Sequence, residues 1–175
     1  CCFNHSSKIN PGIFNIWMNL LKSINNSVLW LVPQNEITAK NLKKEATIRN
    51  VNHDRIKFAQ NIKMPEHLAR HKAADLFVDT FPYNAHTTAS DALWTGLPVL
   101  TLMGESFTSR VGGSLLNAID LPELITHTKK DYQDKAIELA SNKSFLNEIR
   151  NKLNKNRLTN PLFNTKLFTK NLEKA

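Results

Sequence analysis

The segment from Asp75 to Val99 constrains the fold more than any other part of the chain. Residues 76–78 are apolar throughout, as in a strand buried on both faces. A polar loop separates them from a helix that opens near His86-Thr87-Thr88, and a second apolar strand begins at Pro98. Strand, helix and strand in this order predict a βαβ unit with two parallel strands.

The rest of the chain repeats this alternation. Further strands are predicted at 27–32, 55–59, 99–102 and 124–125. Further helices are predicted from Pro11 to about 24 and at 37–49, 66–74, 107–119, 131–140, 144–153 and 166–172. Cys1 to Phe3 resembles the end of a strand whose beginning has been cut away. The pattern predicts an α/β fold with a parallel sheet.

Length and composition favour one globular domain over residues 1–175, with a helical tail from about residue 130. The chain contains no apolar run of the roughly 20 residues that span a bilayer, so we expect no membrane segment. Its two cysteines are adjacent, which disfavours a mutual disulfide and favours a cytoplasmic location. The absence of an initiator Met and of a secretory signal suggests an excised domain.

The net charge of +8 is concentrated near the end of the chain. Residues 141–175 contain eight Lys or Arg and two Glu, a net +6. No aromatic stacking pattern accompanies these charges, so the sequence favours solvated helix faces over a nucleic-acid surface. Contact with an anionic partner or a neighbouring domain remains an alternative.

Polar residues follow the predicted strands, where open α/β sheets bind ligands. A helix that opens at His86-Thr87-Thr88 offers unpaired N–H groups and partial positive charge to a phosphate or diphosphate. The alternative is structural: Thr88 and Asp91 have the spacing of a capping box. Three adjacent donor side chains exceed what capping needs, which favours a nucleotide site.

Two other segments could join this site. Lys8, in the loop after the first strand, could place an ammonium on a diphosphate. His67, Arg70 and His71 share a helix face, suitable for stacking on a base and holding a loop or carbonyl. The two histidines have metal-ligand spacing but no clear third ligand, so we expect no metal. In residues 104–110, direct ligand contact competes with a Ser106 cap and a Glu105–Arg110 ion pair.

Several motifs together resemble the C-terminal catalytic lobe of the O-linked N-acetylglucosamine (O-GlcNAc) transferase and SPINDLY family, in its bacterial form. The most specific block is His-Thr-Thr-x-x-x-Asp-x-Leu-Trp at 86–94. Further matching text is Phe-Asn-His-Ser-Ser-Lys-Ile (3–9), Ser-Val-Leu-Trp-Leu (27–31), Glu-His-Leu-Ala-Arg-His (66–71), Gly-Leu-Pro-Val-Leu-Thr (96–101), Gly-Glu-Ser-Phe-Thr-Ser-Arg-Val (104–111) and Pro-Leu-Phe-Asn-Thr (161–165).

The resemblance implies one lobe of a GT-B glycosyltransferase, with a Rossmann-like parallel sheet between two helical layers. It implies that this lobe binds UDP-N-acetylglucosamine and that neither metal nor other cofactor is required. Lys8 would be catalytic by neutralising the leaving diphosphate. The other implied donor-binding residues are His5, His67 (stacking on uracil), Arg70, His86, Thr87 and Thr88 (phosphates), and Asp91 (ribose).

The resemblance also implies partners outside this chain. Protein acceptors would be held by a separate N-terminal lobe and by tetratricopeptide repeats, so this fragment alone should be inactive. The chain departs from the animal enzymes at His5, where they have Gln, and at Met64-Pro65, before the His67 motif, where they have Lys. Alternatives are a SPINDLY-type protein O-fucosyltransferase using GDP-fucose, or a non-catalytic domain that binds a nucleotide or nucleic acid.

Overall fold

A computed structural model describes residues 1–174 as helices around short parallel strands. The helices are α1 (Pro11–Ser23), α2 (Glu36–Ile48), α3 (Met64–Arg70), α4 (Thr87–Thr95), α5 (Val111–Ala118), α6 (Lys129–Ser141), α7 (Lys143–Thr159) and α8 (Thr165–Leu172). The strands are β1 (Leu29–Leu31), β2 (Ile56–Phe58), β3 (Phe77–Val78), β4 (Val99–Leu102) and β5 (Ile125–Thr126). The predicted α/β alternation is confirmed.

The first residues of the chain join two groups of parallel strands. β1 pairs with β2, and β3, β4 and β5 pair in that order. Between the groups, the Cys2 amide donates to the Trp30 carbonyl at 2.9 Å, and the Val78 amide donates to the Cys1 carbonyl at 2.8 Å. The spatial order is therefore β2, β1, the N-terminal segment, β3, β4, β5. This arrangement confirms the Rossmann-like parallel sheet.

This strand order creates a switch point next to the N-terminal segment. From that segment the chain continues to β1 on one side of it, whereas from β3 it continues to β4 on the other side. Two loops that diverge from neighbouring parallel strands leave a crevice at their carboxyl ends, where open α/β sheets bind ligands. The loops that begin at Asn4 and at Asp79 meet there.

Helix α1 shows how the sequence positions this edge of the sheet. The Asn10 side chain accepts a hydrogen bond from the Ile13 amide and Pro11 occupies the first turn, as predicted for a helix start. The apolar face of α1 is buried, and the Trp17 indole lies against the Tyr132 hydroxyl of α6. Helices α1 and α6 thus pack together beside the central strands.

Several predicted boundaries were wrong by a few residues. The helix predicted at 66–74 begins at Met64 and becomes a 3-10 turn at His71–Ala73, and the helix predicted at 107–119 divides into a 3-10 turn (Phe107–Ser109) and α5. Helix α7 extends to Thr159. Within residues 1–174, none of the helices combines the length and the apolar character needed to cross a membrane.

Candidate nucleotide-binding site

A buried asparagine ties the two loops of the switch point into one unit. The Asn4 side-chain amide donates to Asp79 Oδ1 at 3.1 Å and to Thr80 Oγ1 at 2.7 Å, and its oxygen accepts from the Thr88 hydroxyl. Asn4 is only 2% exposed, so these contacts replace solvent completely. The loop that carries Lys8 and the turn that opens α4 are therefore held in fixed relation.

The Lys8 ammonium lies on the same side of the molecule as this turn. Its Nζ donates to the Asn84 carbonyl at 2.9 Å and lies 3.9 Å from the centroid of the Tyr83 ring. Burial lowers the pKa of Lys8, and the Asp79 carboxylate opposes that shift. The predicted convergence of Lys8 with residues 86–88 is present in the structure.

Within residues 1–174, the first two amides of α4, those of Thr87 and Thr88, have no hydrogen-bond partner. The helical hydrogen bonds begin with the amides of Ala89 and Ser90, which donate to the His86 carbonyl. The amides of Thr87 and Thr88 precede this ladder, and the Thr87 side chain is exposed. Unpaired amides at the positive end of the helix dipole can receive phosphate oxygens.

The structural alternative for this segment, a capping box at Thr88 and Asp91, is absent from the structure. The cap residue is His86, and its side chain makes no capping hydrogen bond. Thr88 lies inside the first turn, where its hydroxyl donates to Asn4 instead. Because α4 begins at Thr87, the Thr88 hydroxyl is not at a cap position and instead satisfies the buried Asn4 oxygen.

His86 presents an unpaired ring nitrogen in this region. Its ring lies between Tyr83 and Phe107, with centroid distances of 5.2 and 6.1 Å. Burial, followed by the charge of Lys8, lowers the pKa of His86, so the ring is neutral at neutral pH. Its Nε2 is buried and has no partner among residues 1–174. A neutral ring nitrogen can exchange a hydrogen bond with a ligand.

A second group of side chains lies at the same end of the sheet, around Phe3. The Phe3 ring lies 5.6 Å from the His67 ring, and the Arg70 guanidinium lies 5.5 Å from the Phe3 centroid. Burial and Arg70 lower the pKa of His67, against an opposing effect of the Asp91 carboxylate on α4. Helix α4, which carries Asp91, packs against α3, which carries His67. The half-buried His67 ring and Arg70 together offer a flat surface at this end of the sheet.

His71 and His5 have other surroundings. His71 is fully buried. Its Nδ1 lies 2.9 Å from the His67 carbonyl, so the His71 side chain is hydrogen-bonded to the backbone of α3. The exposed His5 ring contacts the side chains of Ser7 and Gln34. The structure therefore groups Lys8 with the loop that leads to residues 86–88, and His67 with Arg70 on a helix that packs against α4, while His5 faces the loop after β1.

The 104–110 segment borders the site through Phe107. Ser106 precedes the 3-10 turn as expected, but its hydroxyl contacts the Ser109 hydroxyl at 2.9 Å instead of capping the backbone. Across residues 1–174, no ion pair joins Glu105 to Arg110. Phe107 is 78% exposed next to His86, so it extends the wall of the site toward solvent.

Sequence reasoning missed Asn4, Asp79 and Tyr83. Asn4 and Asp79 follow directly on buried strand residues, and a polar residue at that place is a usable signal for the carboxyl edge of a sheet. Their mutual contact joins residues 75 positions apart and depends on the strand order. Tyr83 gives no signal in the sequence because its contact with Lys8 depends on the loop conformation.

Comparisons with known proteins assign the chain to a family. A model of "Glycosyl transferase family 41" matches residues 1–172. The chain is 39% identical over 175 residues to a protein of Arabidopsis thaliana called "Probable UDP-N-acetylglucosamine--peptide N-acetylglucosaminyltransferase SEC". It is 34% identical over 173 residues to the UDP-N-acetylglucosamine--peptide N-acetylglucosaminyltransferase of Caenorhabditis elegans. Each match covers 99% of this chain, but only 18% and 15% of the relative.

A solved structure shows the same fold. A mutant of the Thermobaculum terrenum O-GlcNAc transferase superposes with a TM-score of 0.94 at 30% identity, over 99% of this chain and 34% of that one. This chain therefore corresponds to about a third of that structure and to less than a fifth of the two relatives. With a family model that matches nearly every residue, the chain belongs to glycosyl transferase family 41.

Proposed function

We propose that this chain forms the donor-binding half of a protein O-GlcNAc transferase, which moves N-acetylglucosamine from UDP-N-acetylglucosamine to Ser or Thr of proteins. One observation supports this most strongly: the Lys8 ammonium and the opening of α4 lie at the same end of the sheet. Family membership and the printed names of the relatives agree with this assignment.

The proposed chemistry is stabilisation of the leaving UDP. Negative charge accumulates on the diphosphate as the bond to the sugar breaks. Lys8 supplies a point charge there, and the amides of Thr87 and Thr88 supply oriented dipoles. The Thr87 hydroxyl and His86 Nε2 add hydrogen bonds to phosphate or sugar oxygens. These groups together take the part that a cation plays in other transferases, so we propose that no metal or other cofactor is required.

The second group of residues suits the nucleoside. We propose that the uracil stacks on the exposed side of His67, with Arg70 beside it, and that Asp91 accepts a hydrogen bond from the ribose. We also propose that His5, which follows Asn4 in the loop that leads to Lys8, lies at the edge of the donor site. Acceptor proteins would bind to a partner lobe and to tetratricopeptide repeats in the longer protein, in the cytoplasm.

Binding of UDP tests this proposal directly. In saturation-transfer NMR, this chain should give signals from UDP and UDP-N-acetylglucosamine, and weaker ones from GDP. Lys8→Ala should weaken UDP binding by about 10- to 100-fold, since a hydrogen bond to a charged group contributes about 1.5–3 kcal/mol. Thr87→Ala should weaken it less. Lys44→Ala, which removes an exposed lysine of α2, serves as the matched control.

Three results would count against the proposal. Absence of any UDP signal from the unmodified chain would exclude the donor site. Equal affinity of the Lys8→Ala and Lys44→Ala variants would remove Lys8 from it. A clear preference for GDP over UDP would favour the O-fucosyltransferase alternative.

A further inference from the structure

A buried carboxylate lies at the centre of the contacts that form the site. Asp79 is fully buried at the end of β3. Its Oδ1 accepts hydrogen bonds from the Asn4 side chain at 3.1 Å and from the amides of Thr80 and Ala85 at 2.7 Å. Its Oδ2 accepts from the Thr101 hydroxyl at 2.7 Å. A carboxylate that collects four donors in the interior organises several segments at once.

We propose that Asp79 is the positioning residue of the donor site: its carboxylate sets the relative placement of the two phosphate-binding loops and is the buried counter-charge of Lys8. The inference rests on the proposed function and deepens it. Asp79 itself is too deep to touch a donor molecule, so its effect passes through Asn4, Ala85 and Lys8.

The positioning role follows from the path of the hydrogen bonds. Through Asn4, Asp79 holds the loop that leads to Lys8, and Asn4 in turn receives the Thr88 hydroxyl. Through the Ala85 amide, it fixes the residue directly before His86, where α4 opens. The Asp79 carboxylate therefore holds both loops of the switch point in place through hydrogen bonds.

The counter-charge role follows from the peptide unit between Asn84 and Ala85, whose carbonyl accepts from Lys8 Nζ at 2.9 Å and whose amide donates to Asp79 Oδ1 at 2.7 Å. The charge of Asp79 also influences the Cys2 thiol and the Tyr132 hydroxyl, which donates to the Asp79 backbone carbonyl at 2.9 Å. Burial raises the pKa of Cys2 to about 12 and raises the pKa of Tyr132, so both are neutral at neutral pH. Burial also raises the pKa of Asp79 to about 6, so it is ionised there. Of Lys8, Cys2 and Tyr132, Lys8 alone then has a charge.

The substitution Asp79→Asn removes the negative charge of this side chain but keeps its shape. The amide oxygen can keep the three bonds of Oδ1, and the Thr101 hydroxyl can turn to accept from the new amide NH₂. UDP affinity should fall about tenfold at pH 7.5. We also expect UDP affinity to be lost as the pH rises from 7.5 to 10.5. The midpoint of this loss should lie at lower pH in Asp79→Asn than in the unmodified chain, because Lys8 loses its proton more easily without the carboxylate.

Asn4→Ala is the matched control for structure alone. It breaks the link between the loops but keeps the carboxylate, so affinity should fall while the pH of half-loss stays where it is in the unmodified chain. Equal binding by Asp79→Asn and the unmodified chain, or the same pH profile in Asp79→Asn and Asn4→Ala, would overturn the inference. Loss of UDP binding by the unmodified chain would instead overturn the proposed function and, with it, this inference.

A second measurement covers the case in which Asp79→Asn does not fold. The ¹⁵N shift of the Ala85 amide reports protonation of Asp79, its hydrogen-bond partner. Lys8→Ala, a change at a partly exposed side chain, should raise the midpoint of that titration by a measurable fraction of a pH unit. An unchanged midpoint would show that Lys8 and Asp79 are not coupled.

Discussion

The ionisation of Asp79 also affects folding. In the unfolded chain its pKa takes the ordinary value of 3.8, whereas burial raises the pKa to about 6 in the fold. Between these values the folded chain retains a proton that the unfolded chain has lost, so stability falls as pH rises. We expect the free energy of unfolding of the unmodified chain to fall by about 1–3 kcal/mol relative to Asp79→Asn between pH 4 and 7.

Urea unfolding of both proteins at several pH values measures this difference. Other titrating groups are common to the two proteins and cancel. Above pH 7 the difference should stay constant until Lys8 begins to titrate, because the substitution also lowers the pKa of Lys8. A difference that grows in favour of the unmodified chain as pH rises would mean that the hydrogen bonds to the carboxylate outweigh its desolvation.

Gly112 is a second residue whose size matters at this site. A Cβ at this position would lie 2.6 Å from Thr101 Oγ1 and 2.9 Å from Asp79 Oδ2. Gly112→Ala should therefore lower the free energy of unfolding by about 1–3 kcal/mol, as overpacking of an interior does. Gly12→Ala is the control, since its Cβ would meet Asn10 Oδ1 at 3.1 Å and should cost less than about 1 kcal/mol. Equal effects in urea unfolding would contradict the close approach of α5.

At the residue scale, the sequence indicated the polar groups that could bind a ligand. It did not indicate the buried residues that position those groups. Lys8 and residues 86–88 stand out because donors and positive charge cluster in polar loops. Asn4 and Asp79 are single polar residues next to apolar runs, and their pairing depends on contacts between distant parts of the chain. Local spacing also suggested the capping box at Thr88, whereas a contact with Asn4 decides its hydrogen bond.

At the scale of elements, the cap of α1 links helix stability to the site. The Asn10 side chain accepts from the Ile13 amide at 3.1 Å and donates to the Phe81 carbonyl at 2.5 Å. Asn10→Ala should cost about 1–3 kcal/mol, the sum of a lost cap and a lost hydrogen bond between elements. Asn35→Ala, at the exposed cap of α2, should cost about 1 kcal/mol or less. Chemical denaturation of both variants measures these two losses of unfolding free energy. A larger loss for Asn35→Ala than for Asn10→Ala would contradict the prediction.

Most elements were predictable because periodicity and caps are local properties. The order Asn10-Pro11 marks the start of α1, and the apolar run at 99–102 marks β4 with its observed bounds. Boundaries failed where tertiary contacts decide them. After Arg70 the chain tightens into a 3-10 turn, where His71 is buried and its ring meets the His67 carbonyl. The helical spacing of residues 66–74 does not reveal that change.

At the scale of the whole molecule, basic residues near the end of the chain have divided roles. Arg150 donates to the carbonyls of Ala74 and Asp75 and pairs with the Asp75 carboxylate, and Arg157 donates to the Trp94 carbonyl. These two side chains attach α7 to the rest of the fold. Sequence counting treated all eight basic residues alike, because only the packing of α7 shows which ones face inward.

The same packing predicts how far the chain can be shortened. α7 buries Leu146, Ile149 and Leu153, and each such side chain contributes about 1.5–3 kcal/mol. Their sum is comparable with the roughly 5–15 kcal/mol that stabilises a domain, so truncation after Asn142 should abolish cooperative unfolding. The side chains of α8 are exposed, and truncation after Asn164 should change the free energy of unfolding by less than about 0.5 kcal/mol. Urea titration of both shortened chains tests this contrast, and a loss of more than 1 kcal/mol after Asn164 would show that α8 supports the core.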